Sequence, residues 1–266
     1  MKIFDMRLRP PFGSIARGMF GNPGRELFEP EAFAPRFGMT IAESARLCSM
    51  ELFIREMDEA GICAGAVLIR KSTGMDNHDL EKLHQQYPGR FIGVAGIDPQ
   101  DGEAALREID RFVVNGICRG VLVEPGFCRR PVRADDRSLY IFYEKCQELH
   151  IPVFLSFGGY VAPDLSYADP MIIERVALDF PTLIVAHGGW PFVPAICHVA
   201  FNREHVYLAP DLYTMNVPGN RDYLDAANYL IPEKFMFGTA YPCVDMRQAV
   251  AYYRAWGLRP EVMPGV

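Results

Sequence analysis

The stretch Pro170-Met171-Ile172-Ile173-Glu174-Arg175-Val176-Ala177-Leu178-Asp179-Phe180-Pro181-Thr182-Leu183-Ile184-Val185-Ala186-His187-Gly188-Gly189-Trp190 holds one full repeat of the pattern that decides the fold. Pro170 to Phe180 spaces its apolar residues as a helix does. Phe180-Pro181 ends that helix, because a residue before proline is pushed out of the α region. Leu183 to Ala186 is then continuously apolar, as a strand covered on both faces must be. Pro191 to Phe201 opens the next amphipathic segment.

The same alternation runs in both directions along the chain. Further apolar runs lie at Lys2–Leu8, Ala64–Ile69, Phe91–Ile97, Gly120–Val123, Val153–Phe157, Val206–Leu208 and Phe235–Phe237. Amphipathic segments separate them at Ile41–Ala60, Asp76–Tyr87, Glu103–Val114, Ser138–Leu149, Tyr223–Leu230 and Met246–Trp256. Ala60-Gly61, Asn115-Gly116 and His150-Ile151-Pro152 carry helix-stop signals before the next strand. Eight strand–helix units with no linker between them predict an α/β fold, a single (β/α)8 TIM barrel forming one domain over residues 1–266. An open doubly wound sheet is the alternative. It would show a glycine-rich nucleotide loop after the first strand, where this chain has Arg9-Pro10-Pro11-Phe12. Residues 10–40 form instead a long connection rich in Gly, Pro and Phe. It is expected over the barrel mouth, as a lid or a dimer contact.

Half of the 266 residues are hydrophobic and 23% are charged, enough apolar material for a sizeable core. A net charge of −6 and a pI near 5.6 offer no attraction for nucleic acid or an anionic membrane. The seven cysteines are scattered, with no Cys-x-x-Cys pair, and read as reduced thiols. Asp5 comes too early for a signal peptide, and no apolar run reaches the roughly 20 residues of a membrane span. A cytoplasmic protein, forming a homo-oligomer such as a dimer, is expected.

In a barrel of this kind chemistry sits at the C-terminal strand ends. The first strand ends Asp5-Met6-Arg7-Leu8-Arg9, and alternation predicts Asp5, Arg7 and Arg9 on one face, the interior. Buried arginines require an anion. Either they pair with Glu124 and Asp211, or Arg7, Arg9 and Arg70 clamp a substrate carboxylate by bidentate hydrogen bonds. Glu124 follows the fourth strand, Ser156 the fifth, His187 the sixth and Asp211 the seventh, and Tyr241 lies in the eighth. His187, followed by two glycines, can face a ligand with little crowding. His78, His84, His150, His198 and His205 share no ligand spacing. No nucleophile elbow, P-loop or dinucleotide fingerprint occurs.

Ile3-Phe4-Asp5, the run Ile184-Val185-Ala186-His187-Gly188-Gly189 after Phe180-Pro181, and Phe237-Gly238-Thr239-Ala240-Tyr241-Pro242 resemble the amidohydrolase-related family of metal-dependent hydrolases and nonoxidative decarboxylases. The resemblance spans almost the whole chain. It implies an Asp-x-His-x-His first strand, whose two His positions are here Arg7 and Arg9. It implies a His near Ser156, one at His187, and an Asp where Ala240 stands. The family's further Gly-Asn-Ala-containing helix is not found before Val266, so a shortened sequence is expected. One ligand of the implied set remains. A divalent cation needs three or four donors and would be repelled by two arginines, so no metal cofactor is expected.

The reading is therefore a metal-independent hydrolase, cutting a lactone or a C–N or C–O bond, or a decarboxylase, with a small carboxylate as substrate. His187 acts as acid or base, and Glu124 or Asp211 orients it or serves as base. Arg7, Arg9, Arg70, Ser156 and Tyr241 bind substrate. The alternatives are a catalytically inactive barrel that binds a small anion, and a metal hydrolase (Zn, for instance) rebuilt on Glu124, His187 and Asp211.

Overall fold

The computed structural model describes residues 2–20, 30–159, 163–181 and 184–266. Seven parallel strands pair strictly in chain order: β1 (Ile3–Leu8), β2 (Ile62–Leu68), β3 (Phe91–Ile97), β4 (Val121–Val123), β5 (Val153–Leu155), β6 (Ile184–Ala186) and β7 (Val206–Leu208). Leu183, which the sequence assigns to the sixth strand, lies outside the described residues. The eighth strand does not form as expected. Phe235 and Tyr241 make only isolated parallel bridges, to Leu208 and Leu8 respectively. Between them the chain hydrogen-bonds to both sheet edges, through Met236 N to Leu208 O (2.8 Å) and Met6 N to Phe237 O (3.0 Å). The described architecture is thus a curled seven-stranded parallel sheet with helices, TIM-barrel-like rather than a complete eight-stranded barrel.

The helices are α1 (Gly13–Phe20), α2 (Pro30–Phe33), α3 (Glu43–Leu47), α4 (Met50–Ala60), α5 (His78–Gln86), α6 (Glu103–Ile109), α7 (Tyr140–Glu148), α8 (Pro170–Asp179), α9 (Val193–Asn202), α10 (Asn220–Asp225) and α11 (Met246–Ala255). The expected helix over Ile41–Ala60 is two, because Cys48 adopts the left-handed conformation at φ 50° and Ser49 then caps α4 by accepting from Leu52 N. Gly61, at φ 77°, closes α4 as its spacing implied. Asp169 caps α8, with Pro170 in its first turn. Residues 21–29 of the 10–40 connection, expected as a lid or dimer contact, lie outside the described residues; its described parts carry α1 and α2, and Ser14 binds the Asp79 carboxylate of α5 through its N (2.6 Å) and Oγ (2.5 Å).

Strand alternation sorts the core in two. One set, including Val67, Val121, Val123, Val153, Leu155, Ile184, Ala186, Val206 and Leu208, packs with the helices. A smaller inner cluster takes Phe4, Met6, Ala66, Leu68, Val94, Leu122, Phe154, Val185, Tyr207, Ala209 and Met236. Two residues past the inner line lie Arg70, Glu124, Ser156, His187 and Asp211, each carried onto the same face by the period of two. Gly96 on β3 makes room for this: a Cβ there would stand 2.0 Å from Ile69 O, the residue before Arg70.

β1 departs from strict alternation. Phe4 and Met6 lie in the inner cluster, whereas Leu8 packs with the helices. The register with β2 shifts between Asp5 and Leu8. Such an irregularity re-aims the residues beyond it. Arg7 is thereby brought to the inner face, and Asp5, expected beside it, is not. Asp5 accepts from Arg7 N (2.9 Å), Thr239 N (3.1 Å) and Thr239 Oγ1 (2.5 Å), and is wholly buried.

No helix among the described residues is long and apolar enough to cross a membrane.

Candidate active site

Asp211 sits at the centre of the site. It is fully buried and holds a left-handed backbone at φ 46°, an unusual conformation for a residue with a Cβ and one that tends to occur at functional positions. Its Oδ1 accepts from its own turn at Leu212 N, which orients the carboxylate. Its Oδ2 faces Arg7 Nε at 3.1 Å and His187 Nε2 at 2.7 Å. Among the described residues neither Oδ2 nor Nε2 has an aligned hydrogen-bond partner, so the His187 contact is a close but poorly aligned approach rather than a linear hydrogen bond. Gly238 opposite allows the approach; a Cβ there would lie 3.2 Å from Asp211 Cβ and 3.5 Å from Arg7 Cβ.

His187 follows β6, with its side chain 11% exposed. Burial and then the Arg7 charge lower its pKa below the usual 6.5, opposed by Asp211. The imidazole is therefore neutral at pH 7. With Nε2 against a carboxylate oxygen, the proton belongs on Nε2, which leaves Nδ1 as the basic nitrogen. Gly188 and Gly189, at φ 72° and 71°, take the left-handed turn that releases the chain from β6. Tyr213 packs edge-on to His187 at 5.3 Å and stacks on Trp190 at 5.7 Å, and Phe37 from the long connection meets Tyr213 at 6.0 Å.

A second cluster forms around Glu124. Its Oε1 accepts from Arg70 Nε (2.9 Å) and Ser156 Oγ (2.6 Å), with Arg70 Nη2 at 2.8 Å. Arg70 also lies over the Phe127 ring at 4.9 Å. Burial alone would raise the Glu124 pKa, but Arg70, Arg9, the Ser156 hydrogen bond and Arg7 outweigh it and the net shift is downward. Glu124 is thus held ionised, with one oxygen saturated and Oε2 buried without a partner.

Arg9 is the exception in this charge balance. It is 3% exposed, and its Nε and Nη2 are buried with no hydrogen-bond partner among the described residues. Burial, then Arg7 and Arg70, push its pKa down to about 9, so it remains a cation at pH 7. The cluster holds three guanidinium groups against the carboxylates of Asp211 and Glu124. Asp5, whose pKa burial raises to about 7, is already engaged with Thr239. Asp5 is only partly ionised at pH 7, so the guanidinium charge in this cluster exceeds the carboxylate charge.

Of the residues singled out from sequence, the structure joins Arg7, His187 and Asp211 in one group and Arg70, Glu124 and Ser156 in another. Arg70 is spent on Glu124 rather than free for a ligand. Tyr241 is not at the mouth. Its hydroxyl shares a hydrogen bond with Ser44 Oγ (2.9 Å), its ring packs on Phe53 at 4.6 Å, and it is fully buried. Expected from sequence to bind substrate, in this structure it braces the sheet against α3 and α4. The aromatic stack of Trp190 and Tyr213 was not read as part of the site. Its one sequence signal was the pair of glycines before Trp190.

The positions where the family resemblance places metal ligands carry Arg7, Arg9, Ser156, His187 and Ala240. Two are guanidinium groups, one of them tied to Asp211 and the other with Nε and Nη2 buried and facing no acceptor among the described residues. Among the described residues no three His, Cys, Asp or Glu side chains are grouped to hold a metal ion, Glu124, His187 and Asp211 included. This donor set does not fit a divalent cation.

A parallel sheet with polar side chains gathered past its C-terminal strand ends defines a TIM-barrel-like protein. The chain belongs to the amidohydrolase family, whose model matches residues 28–262. Among solved structures it is similar to an uncharacterized TIM-barrel protein from Bordetella bronchiseptica. The two share 35% identity at a TM-score of 0.92, covering 100% of this chain and 95% of that one. It is similar in fold to 5-carboxyvanillate decarboxylase from Sphingomonas paucimobilis (15% identity, TM-score 0.68, 100% and 96% covered). The same holds for a putative 2-pyrone-4,6-dicarboxylic acid hydrolase from Pseudomonas putida (16%, 0.67, 100% and 94%). No curated protein matches the sequence.

Proposed function

We propose that this chain is a metal-independent hydrolase of a small carboxylate, opening a lactone or cutting a C–N or C–O bond, on a (β/α)8 frame whose eighth strand is reduced to two bridges. The observation that carries the reading is Arg9, a buried cation whose Nε and Nη2 have no acceptor among the described residues. A buried unpaired charge is costly, and a substrate carboxylate would supply the missing partner through the guanidinium fork.

Neutral His187 serves as general base. It takes a proton from water as the water oxygen attacks the substrate carbonyl, and returns that proton to the departing oxygen or nitrogen. Asp211 orients the ring and stabilises the imidazolium while the proton rests there, and Arg7 holds Asp211 in place. Hydrolysis is favoured over decarboxylation on physical grounds. A carboxylate clamped by Arg9 is stabilised in the ground state, which opposes its loss as carbon dioxide but suits a carboxylate that only anchors the substrate.

The test uses chelator-treated enzyme with 2-pyrone-4,6-dicarboxylate and 5-carboxyvanillate, the compounds that name two structural neighbours. Loss of pyrone absorbance without added metal, abolished in His187→Ala, is expected. Turnover that appears only with a divalent cation overturns metal independence, and carbon dioxide release overturns hydrolysis. Ligand binding without product, unaffected by His187→Ala, would make this a binding protein. With an active substrate, the acid limb of kcat/KM should have its midpoint below pH 6.5. Protonation of the base abolishes activity only below the lowered pKa of His187. A midpoint above 6.5 assigns the base elsewhere.

A further inference from the structure

Two buried polar atoms are left over beside the Glu124 cluster. Among the described residues Glu124 Oε2 has no partner, with Glu124 itself only 6% exposed, and Ser72 Oγ is likewise buried and unpartnered. Both residues line one cleft past the ends of β2, β3 and β4, together with Lys71, Asp98, Phe127 and Cys128. Neither atom is used by the His187–Asp211 pair. An acceptor left bare in a buried site loses the desolvation free energy of that group unless a ligand restores the bond.

We propose that this cleft is a second substrate subsite, which receives an uncharged hydrogen-bonding group of the substrate, a hydroxyl or an amide, on Glu124 Oε2 and Ser72 Oγ. The inference rests on the carboxylate reading of Arg9 and adds the other end of the molecule. Glu124 demands a donor from the ligand, since a carboxylate has none to give. The donor is not an ammonium group. The Arg70 guanidinium lies 2.8 Å from the neighbouring carboxylate oxygen, Arg9 belongs to the same charge cluster and Lys71 lines the cleft, so a further cation would be repelled. Ser72 can both donate and accept, which matches a hydroxyl or an amide. The substrate class is therefore a carboxylate bearing a neutral donor, anchored at Arg9 and read at Glu124 and Ser72.

The experiment measures Kd for benzoate, the 2-, 3- and 4-hydroxybenzoates, their methoxy counterparts and the corresponding aminomethyl benzoates, by the quenching of tryptophan fluorescence or by calorimetry. At least one hydroxyl isomer should bind tenfold or more tightly than benzoate, while its methoxy and aminomethyl counterparts gain nothing. A site built to bond a hydroxyl discriminates in this way against analogues that lack it. Ser72→Ala should reduce the hydroxyl gain while leaving benzoate affinity unchanged, and Ser72→Val, which fills the cleft, should remove it. If benzoate binds in an Arg9-dependent manner and no hydroxyl isomer gains more than twofold, the subsite is wrong and the carboxylate reading stands. An aminomethyl isomer that binds tightest also overturns it. If none of these carboxylates binds, the Arg9 reading fails and the subsite fails with it.

Discussion

Arg9→Met is expected to raise the melting temperature while abolishing carboxylate binding. Arg9 is buried, with Nε and Nη2 lacking partners, and it lies near two other guanidinium groups. Methionine keeps much of the aliphatic stem and removes a buried charge that Glu124 offsets only in part and whose Nε and Nη2 meet no acceptor among the described residues. Replacing buried ionic groups by apolar ones of similar volume stabilises by about 1–4 kcal/mol in favourable cases. For a chain of this size each kcal/mol moves Tm by about 2–4 °C. Thermal unfolding followed by circular dichroism, with and without a small carboxylate, checks both halves. A variant less stable than the parent would show that Arg9 has a structural partner, and retained carboxylate affinity would place the anion elsewhere. The trade between stability and binding is the usual one for residues selected to meet a ligand.

Asp211→Ala should act in the opposite sense on stability and in the same sense on function. The carboxylate is fully buried, accepts from Leu212 N, and faces both Arg7 and His187. Its removal leaves Arg7 without its partner in a buried position, and breaking one member of a buried pair costs about 3–5 kcal/mol. That amounts to a fall in Tm on the order of 10 °C. The double variant Asp211→Ala/Arg7→Met should recover a good part of the loss, because the two residues couple directly. Activity returns in neither, since His187 has lost the group that sets its tautomer. Chemical denaturation of the four members of the cycle provides the measurement. Additive losses would mean that the Arg7–Asp211 contact contributes nothing to the fold.

Much of the fold was legible because its periods are short. Continuous apolar runs identify doubly covered strands, and seven of the eight expected strands form within two residues at each end, apart from the sixth's unplaced start. The eighth was over-read. Phe235–Phe237 has strand-like residues, but backbone pairing needs a neighbour in register, and that depends on chain far away. The split at Cys48 was illegible for a similar reason: a left-handed cysteine has no sequence signal of its own.

What the sequence by itself determined is the set of chemical groups at the strand ends. Arg70, Glu124, Ser156, His187 and Asp211 could be named from their places at strand ends, where regular alternation keeps a residue two positions past an inward one on the same face, although β1 breaks that rule at Leu8. Two arginines in the first strand likewise announced an anion rather than a cation. Only the tertiary structure decided who pairs with whom. Asp211 serves Arg7 and His187, Glu124 takes Arg70 instead of Arg9, Tyr241 turns away to Ser44, and a register shift in β1 separates Asp5 from Arg7. These outcomes rest on distances between residues as far apart in the chain as Arg7 and Asp211, to which a local pattern is blind. The unpaired Arg9 emerges only when every carboxylate in the cluster has been accounted for.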